Sequence, residues 1–211
     1  MKEVFEEATN QLNEKHPLVI ATVVRTKGST PQKPGAKLLV RNDGSGVGTL
    51  GGGCVEGDIW YAAKQLMKNR DSAETIGYEL NEEIAAQDGL VCGGTMYFLV
   101  DPIYEKDQQA LFLEEINGAY LGGEPVALAS LVKTTPEVDA KLGGKLLIRS
   151  DGSIEGTLGK ESLDFEAIEH GIELMAYGNS KYVRSKIGAE YFVEGYTTPP
   201  RIILCGGGHV S

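Results

Sequence analysis

Two hydrophobic periods alternate along this chain. Val4, Phe5, Ala8 and Leu12 fall at helical spacing, so residues 3–14 read as a short amphipathic helix. Leu18 to Val24 is a continuous apolar run rich in β-branched residues, the pattern of a buried strand. Pro31 and Pro34 then forbid regular structure between Gly28 and Gly35. Lys37–Val40 and Val47–Leu50 flank Asn42-Asp43-Gly44-Ser45, which predicts a β-hairpin. Val55, Ile59, Ala62, Ala63, Leu66 and Met67 return to helical spacing, so a helix runs from Cys54 to near Asn69. Strands are expected at Thr75–Tyr78 and Thr95–Val100. The loop between them carries Leu90-Val91-Cys92-Gly93-Gly94. Asp107–Asn117 reads as a helix with Gly118 as its stop.

The pattern then restarts. Adding 108 to the residue numbers carries Pro17 onto Pro125, Ala21 onto Ala129 and Lys37-Leu38-Leu39-Val40-Arg41 onto Lys145-Leu146-Leu147-Ile148-Arg149. The same shift carries Asp43-Gly44-Ser45 onto Asp151-Gly152-Ser153, and Gly48-Thr49-Leu50-Gly51 onto Gly156-Thr157-Leu158-Gly159. A run this dense in one register indicates internal duplication of a β-hairpin–helix unit. The expected fold is α/β of the α+β kind, with the two units in one mixed sheet or packed about a pseudo-two-fold axis. Residues 1–105 form the first repeat, 106–198 the second, and 199–211 the start of something else.

Shared positions serve the fold; positions found in one copy are candidates for chemistry. Opposite Gly28-Ser29-Thr30-Pro31 the second copy has Pro136-Glu137-Val138-Asp139. Opposite Gly52-Gly53-Cys54-Val55-Glu56 it has Lys160-Glu161-Ser162-Leu163-Asp164. Ser162 reads as an N-cap. The second copy therefore fills with charge what the first leaves bare, and reads as a scaffold.

In the first copy Cys54 stands at a helix start, where orphan amides and the positive end of the helix dipole converge. Glycines remove the side chains that block a ligand. Gly28, Ser29, Thr30, Gly51, Gly52, Gly53, Cys54, Val55 and Glu56 thus form a candidate anion cradle beside a thiol of lowered pKa. The bland reading of Cys54 is a small buried residue. Glu56 and Asp58 oppose an anion unless they point away. Cys92-Gly93-Gly94 reads equally as a tight turn or as a second wall of the cradle. Ser29 and Thr30 donate to a phosphate or cap their own loop. Trp60 and Tyr61 read as packing or interface residues.

Charge narrows the partners. A net charge of −10 and a pI near 4.9 argue against nucleic acid or an anionic membrane. No apolar run reaches the ~20 residues of a membrane helix, and the acidic start is no signal peptide. Three scattered cysteines make no disulfide scaffold or zinc site. A cytoplasmic protein with reduced thiols is expected. Arg201-Ile202-Ile203-Leu204-Cys205-Gly206-Gly207-Gly208-His209-Val210-Ser211 reads as a strand entering a dinucleotide-type turn, which is the beginning of a Rossmann domain only.

Taken together, Arg25-Thr26-Lys27-Gly28-Ser29-Thr30-Pro31, Gly35-Ala36-Lys37, Gly48 to Glu56, Cys92-Gly93-Gly94 and Gly206-Gly207-Gly208-His209-Val210 resemble the xanthine dehydrogenase accessory proteins of the XdhC/CoxI type. The resemblance implies binding of molybdenum cofactor (molybdopterin) and its delivery, as a maturation chaperone, to a xanthine dehydrogenase-type molybdenum hydroxylase. It implies Cys54 as a ligand to molybdenum through the cofactor, a sulfur-donating cysteine desulfurase as a second partner, and a Rossmann half that is truncated here. Gln32 departs from the arginine that often follows the proline in that family. A homodimer is a further expectation. The chain reads as a cofactor-binding accessory protein with no catalytic residue assigned. The alternatives are a thiol-dependent sulfurtransferase using Cys54, and a nicotinamide-dependent oxidoreductase in the full-length form. NAD(P) is not expected for this chain.

Overall fold

The computed structural model of the chain describes residues 1–80, 93–104 and 108–200. The elements run α1 (Lys2–Asn13), β1 (Leu18–Lys27), β2 (Lys37–Arg41), β3 (Gly46–Gly48), α2 (Gly53–Asn69), β4 (Glu74–Glu79), β5 (Thr95–Ile103), α3 (Gln108–Tyr120), β6 (Val126–Lys133), β7 (Lys145–Arg149), β8 (Ile154–Gly156), α4 (Glu161–Met175), β9 (Ser180–Arg184) and β10 (Glu190–Tyr196). The class is α+β. The strands form two antiparallel five-stranded sheets rather than one mixed sheet, ordered β3-β2-β1-β5-β4 and β8-β7-β6-β10-β9. Each order maps onto the other, so the duplication seen in the sequence is a duplication of topology.

The register repeats residue by residue. Leu18 faces Arg41 across β1 and β2, as Val126 faces Arg149 across β6 and β7. Arg41 Nε donates to Glu7 Oε1 at 2.6 Å, and Arg149 Nη2 to Glu115 Oε1 at 2.6 Å, tying each leading helix to its hairpin. Asp43 accepts from the Ser45 amide and Asp151 from the Ser153 amide, so both hairpin tips close as Asx turns.

One helix covers the outer face of each sheet. Val55, Ile59, Ala63 and Leu66 of α2 pack on Val19, Ala21, Leu38, Val40 and Phe98. Leu163, Ala167 and Met175 of α4 pack on the matching positions of the second sheet. The inner faces meet in two places. Phe5, Leu12, Phe112, Ile116 and Tyr196 fill a core where α1 and α3 pack together against both sheets. Val24, Leu99, Val132 and Phe192 close the sheets directly on each other. Each fully buried Leu or Phe here contributes about 1.5–3 kcal/mol.

Two local expectations are corrected. Gly118 does not end α3. The helix continues to Tyr120 because Ala119 is buried and the Tyr120 ring packs edge-on against Tyr196, and the chain turns instead at Gly122, φ +106°. Ser162 is not the N-cap of α4. Lys160 holds that position with no side-chain cap bond, and its carbonyl accepts from the Leu163 and Asp164 amides.

Two lysines cross between the repeats. Lys37 of β2 reaches Glu194 of β10, 2.7 Å from each carboxylate oxygen. Lys145 of β7 pairs with Asp101 of β5. Asp101 lies opposite Ile20 and Glu194 opposite Leu128, so the two carboxylates occupy equivalent places. Burial pushes the Lys37 amine below its ordinary pKa, against the pull of Glu194.

Candidate functional site

Three glycine-bearing stretches of the first repeat converge at the start of α2. A Cβ on Gly94 would lie 2.5 Å from the carbonyl oxygens of Lys27 and Ser29. One on Gly28 would lie 3.1 Å from the Gly93 oxygen. The two loops therefore touch backbone to backbone, which only side-chain-free residues allow. A Cβ on Gly51 would lie 2.7 Å from Pro31 Cβ, so the third stretch packs on the same loop. Gly51, Gly52 and Gly53 all have positive φ, at 110°, 73° and 66°. Space beside Gly52 is open: a Cβ there would meet nothing within 4 Å.

Cys54 is exposed in the first turn of α2, two residues past the N-cap Gly52. Val55 is buried in the core beneath it. Gly93 and Gly94 lie against the Gly28–Thr30 loop, while Cys92 falls outside the described residues, as do Cys205 and the whole 201–211 segment.

Glu56 changes the electrostatics expected of this loop. Its Oε2 accepts from Thr49 Oγ1 at 2.7 Å, from the Leu50 amide at 2.8 Å and from the Gly52 amide at 3.2 Å. The Gly51 amide donates to Thr49 Oγ1 at 3.1 Å. The amides of Gly51 and Gly52 are therefore engaged inside the loop. The carboxylate reaches back over the first turn much as in a capping box. Burial opposes ionisation of Glu56, but the three hydrogen bonds outweigh it and hold its carboxyl below the usual range. The side chain thus turns into the loop instead of confronting a ligand. Thr30 Oγ1 likewise donates to the Gln32 carbonyl at 3.0 Å, which makes it a brace of its own loop. Ser29 is exposed.

The second repeat reproduces the scaffold and closes the opening. Asp164 accepts from Thr157 Oγ1 and the Leu158 amide, each at 2.7 Å, as Glu56 does in the first copy. Lys160, at the place of Gly52, has an extended backbone with φ −156°, and its Nζ lies 2.7 Å from Glu137, which stands where Ser29 does. The Asp139 amide also donates to the Gly159 carbonyl at 2.9 Å. Its counterpart Pro31 has no N–H to give. At the places of Lys160 and Glu137 the first copy has Gly52 and Ser29, so that bridge of charged side chains has no counterpart beside Cys54.

Trp60 is half-buried, and its indole N–H donates to the Gly44 carbonyl, so it packs on the hairpin tip. Tyr61 is 66% exposed and takes no part in the core. Among the described residues, no three or more His, Cys, Asp and Glu side chains are grouped to hold a metal ion, and no helix is long and apolar enough to cross a membrane. The sequence pattern did not reveal the Thr49–Glu56 brace or the crossed lysine pairs. Lys37 and Lys145 match under the 108-residue shift, but Asp101 and Glu194 do not, because the repeats differ in length after their second helices.

The model of the XdhC and CoxI family matches residues 11–79 and 120–185, two segments that coincide with the two repeats. The chain belongs to the XdhC and CoxI family. It is 37% identical over 93 residues to an uncharacterised protein, YqeB, of Escherichia coli K12, covering 44% of this chain and 17% of that protein. It is 27% identical over 124 residues to a protein of Bacillus subtilis 168 named as a probable xanthine dehydrogenase subunit, covering 58% of this chain and 36% of that one. A solved structure described as a xanthine dehydrogenase from Bacillus halodurans superimposes with a TM-score of 0.61 at 22% identity, over 92% of this chain and 53% of that chain. That likeness establishes the fold. This member of the XdhC and CoxI family spans about half or less of the length of these relatives.

Proposed function

We propose that this protein binds molybdenum cofactor and passes it to a xanthine dehydrogenase-type molybdoenzyme as an accessory factor. Membership of the XdhC and CoxI family supports the association with xanthine dehydrogenase, as does the name of the Bacillus subtilis relative. One observation carries the reading. Cys54 is exposed on the first turn of α2 beside the open Gly52, where the duplicated frame is closed by Lys160 and Glu137.

The residues present fit such a group. An exposed thiol is a soft donor once ionised, and soft donors suit a soft metal. Gly52 leaves a face that a Cβ would occupy. Gly53, Cys54 and Val55 supply the helix-start amides, and the Ser29 hydroxyl faces solvent as a further donor. When bound, the cofactor supplies the molybdenum and the anionic pterin phosphate. The chain's part is to hold the metal through Cys54 and to position the ligand over glycine. Thr49 and Glu56 act one step back, by fixing the loop that presents the thiol.

The test is retention. The parent, Cys54→Ser and Cys92→Ser are each mixed with molybdenum cofactor and freed of unbound material. Molybdenum and pterin per chain are then measured beside a melting curve. Cys54→Ser should melt like the parent and retain little cofactor, while Cys92→Ser controls for a general thiol effect. Full retention by a folded Cys54→Ser would refute the thiolate-ligand reading.

A further inference from the structure

A cavity of about 40 Å³ lies between the inner faces of the two sheets, away from Cys54. Its walls are largely apolar, but besides the Tyr196 hydroxyl six polar side chains line it: Thr22, Lys37, Asp101, Ser130, Lys145 and Glu194. They come in matched pairs, one member from each repeat. Lys37 and Lys145 stand at equivalent positions of β2 and β7, Thr22 and Ser130 on β1 and β6, and Asp101 and Glu194 on β5 and β10.

The charges balance. Lys37 Nζ contacts both oxygens of Glu194 and, at 3.4 Å, the Gly35 carbonyl. Lys145 pairs with Asp101 and donates to the Gly143 carbonyl at 3.0 Å. Glu194 also accepts from the Tyr196 hydroxyl at 3.0 Å. Two ammonium groups and two carboxylates leave no net charge to attract an ion.

The hydroxyls are different. Thr22 is 8% exposed and Ser130 is 9% exposed, and both side chains line the cavity. Buried hydroxyls are nearly always satisfied, by protein or by ordered water. A buried water needs roughly 10–15 Å³ and two to four polar partners. The cavity provides room for on the order of two, and the partners surround it.

We infer that this chamber is a built internal hydration site, in which ordered water joins Thr22 and Ser130 to the crossed lysine–carboxylate pairs. The occupant is neutral water rather than an ion, because the lining is charge-balanced. The water completes the polar layer through which the two repeats recognise each other. Glu194 also lines a surface cleft of about 270 Å³ with Gly35, Gly178 and Gly195, so its side chain borders both the chamber and that cleft.

The test counts long-lived internal water in the full chain by oxygen-17 magnetic relaxation dispersion. Parent, Thr22→Val and Ser130→Val are compared, with circular dichroism and melting curves as folding checks. Thr22→Val keeps the side-chain shape and removes the hydroxyl, and Ser130→Val fills part of the space. The parent should show long-lived water that falls by at least one molecule in each folded variant. If Ser130→Val does not fold, the near-isosteric Thr22→Val carries the comparison. An unchanged count in a folded Thr22→Val, or no long-lived water in the parent, overturns the inference.

Discussion

Replacing Glu56 tests how the Cys54 loop is held. One carboxylate oxygen accepts three hydrogen bonds, from Thr49 Oγ1, the Leu50 amide and the Gly52 amide. A bond to a charged acceptor contributes about 1.5–3 kcal/mol and a neutral one about 0.5–1.5 kcal/mol. The side chain is only half-buried, and the three donors share a single oxygen, so the sum falls well short of three full bonds. Glu56→Gln keeps an oxygen and loses the charge; it should cost about 1 kcal/mol. Glu56→Ala leaves the donors to solvent and should cost about 2 kcal/mol. For a chain of this size 1 kcal/mol corresponds to roughly 2–4 °C in Tm. The acid side gives an independent check. The carboxyl titrates below its usual value of 4.5 in the fold, so its contribution is fully present above that pH and is lost as pH falls through the folded-state value. Thermal melts of parent and Glu56→Gln at neutral pH should therefore differ, and the gap should narrow on acidification. Asp164→Asn, in the matching brace of the second repeat, provides a second instance with two donors instead of three. Equal stability of parent and Glu56→Gln at neutral pH, or a gap that persists in acid, would refute the account.

Gly52→Ala meets no neighbouring group but must hold φ +73° with ψ −169°, a region essentially restricted to glycine, so urea denaturation should show a loss of about 1–3 kcal/mol. Gly94→Ala forces a methyl against two carbonyl oxygens at 2.5 Å and should cost more, about 1–3 kcal/mol from the overpacking plus any shift of the loop. Lys37→Met strands a buried carboxylate and should destabilise by about 3–5 kcal/mol, whereas Lys37→Met with Glu194→Leu should recover much of that, read as a coupling in a double-mutant cycle. Ser162→Ala should change Tm by no more than about 1–2 °C, because Ser162 makes no cap bond and lies on the exposed side of α4.

The sequence by itself determined the repeated unit. Strand, hairpin and helix are local patterns, set by apolar spacing and turn residues within a few tens of positions. The same pattern occurs twice at a shift of 108, so Lys37–Arg41 and Lys145–Arg149 were identifiable as equivalent strands. The place of Cys54 at a helix start was legible for the same reason: the glycines and the stripe from Val55 to Met67 adjoin it in the chain. Tertiary structure alone decided the rest. Gly28 and Gly94 are 66 positions apart in the chain, and their contact depends on β1 pairing with β5. The inward turn of Glu56 depends on where the hairpin leaves Leu50 and Gly52. Gly118 stays helical because Phe5 and Tyr196 bury the turn that follows it. Lys37 could not be matched to Glu194 in advance, because that pair exists only where the two sheets pack face to face, and side-chain partners across such a seam leave no periodic trace in the chain.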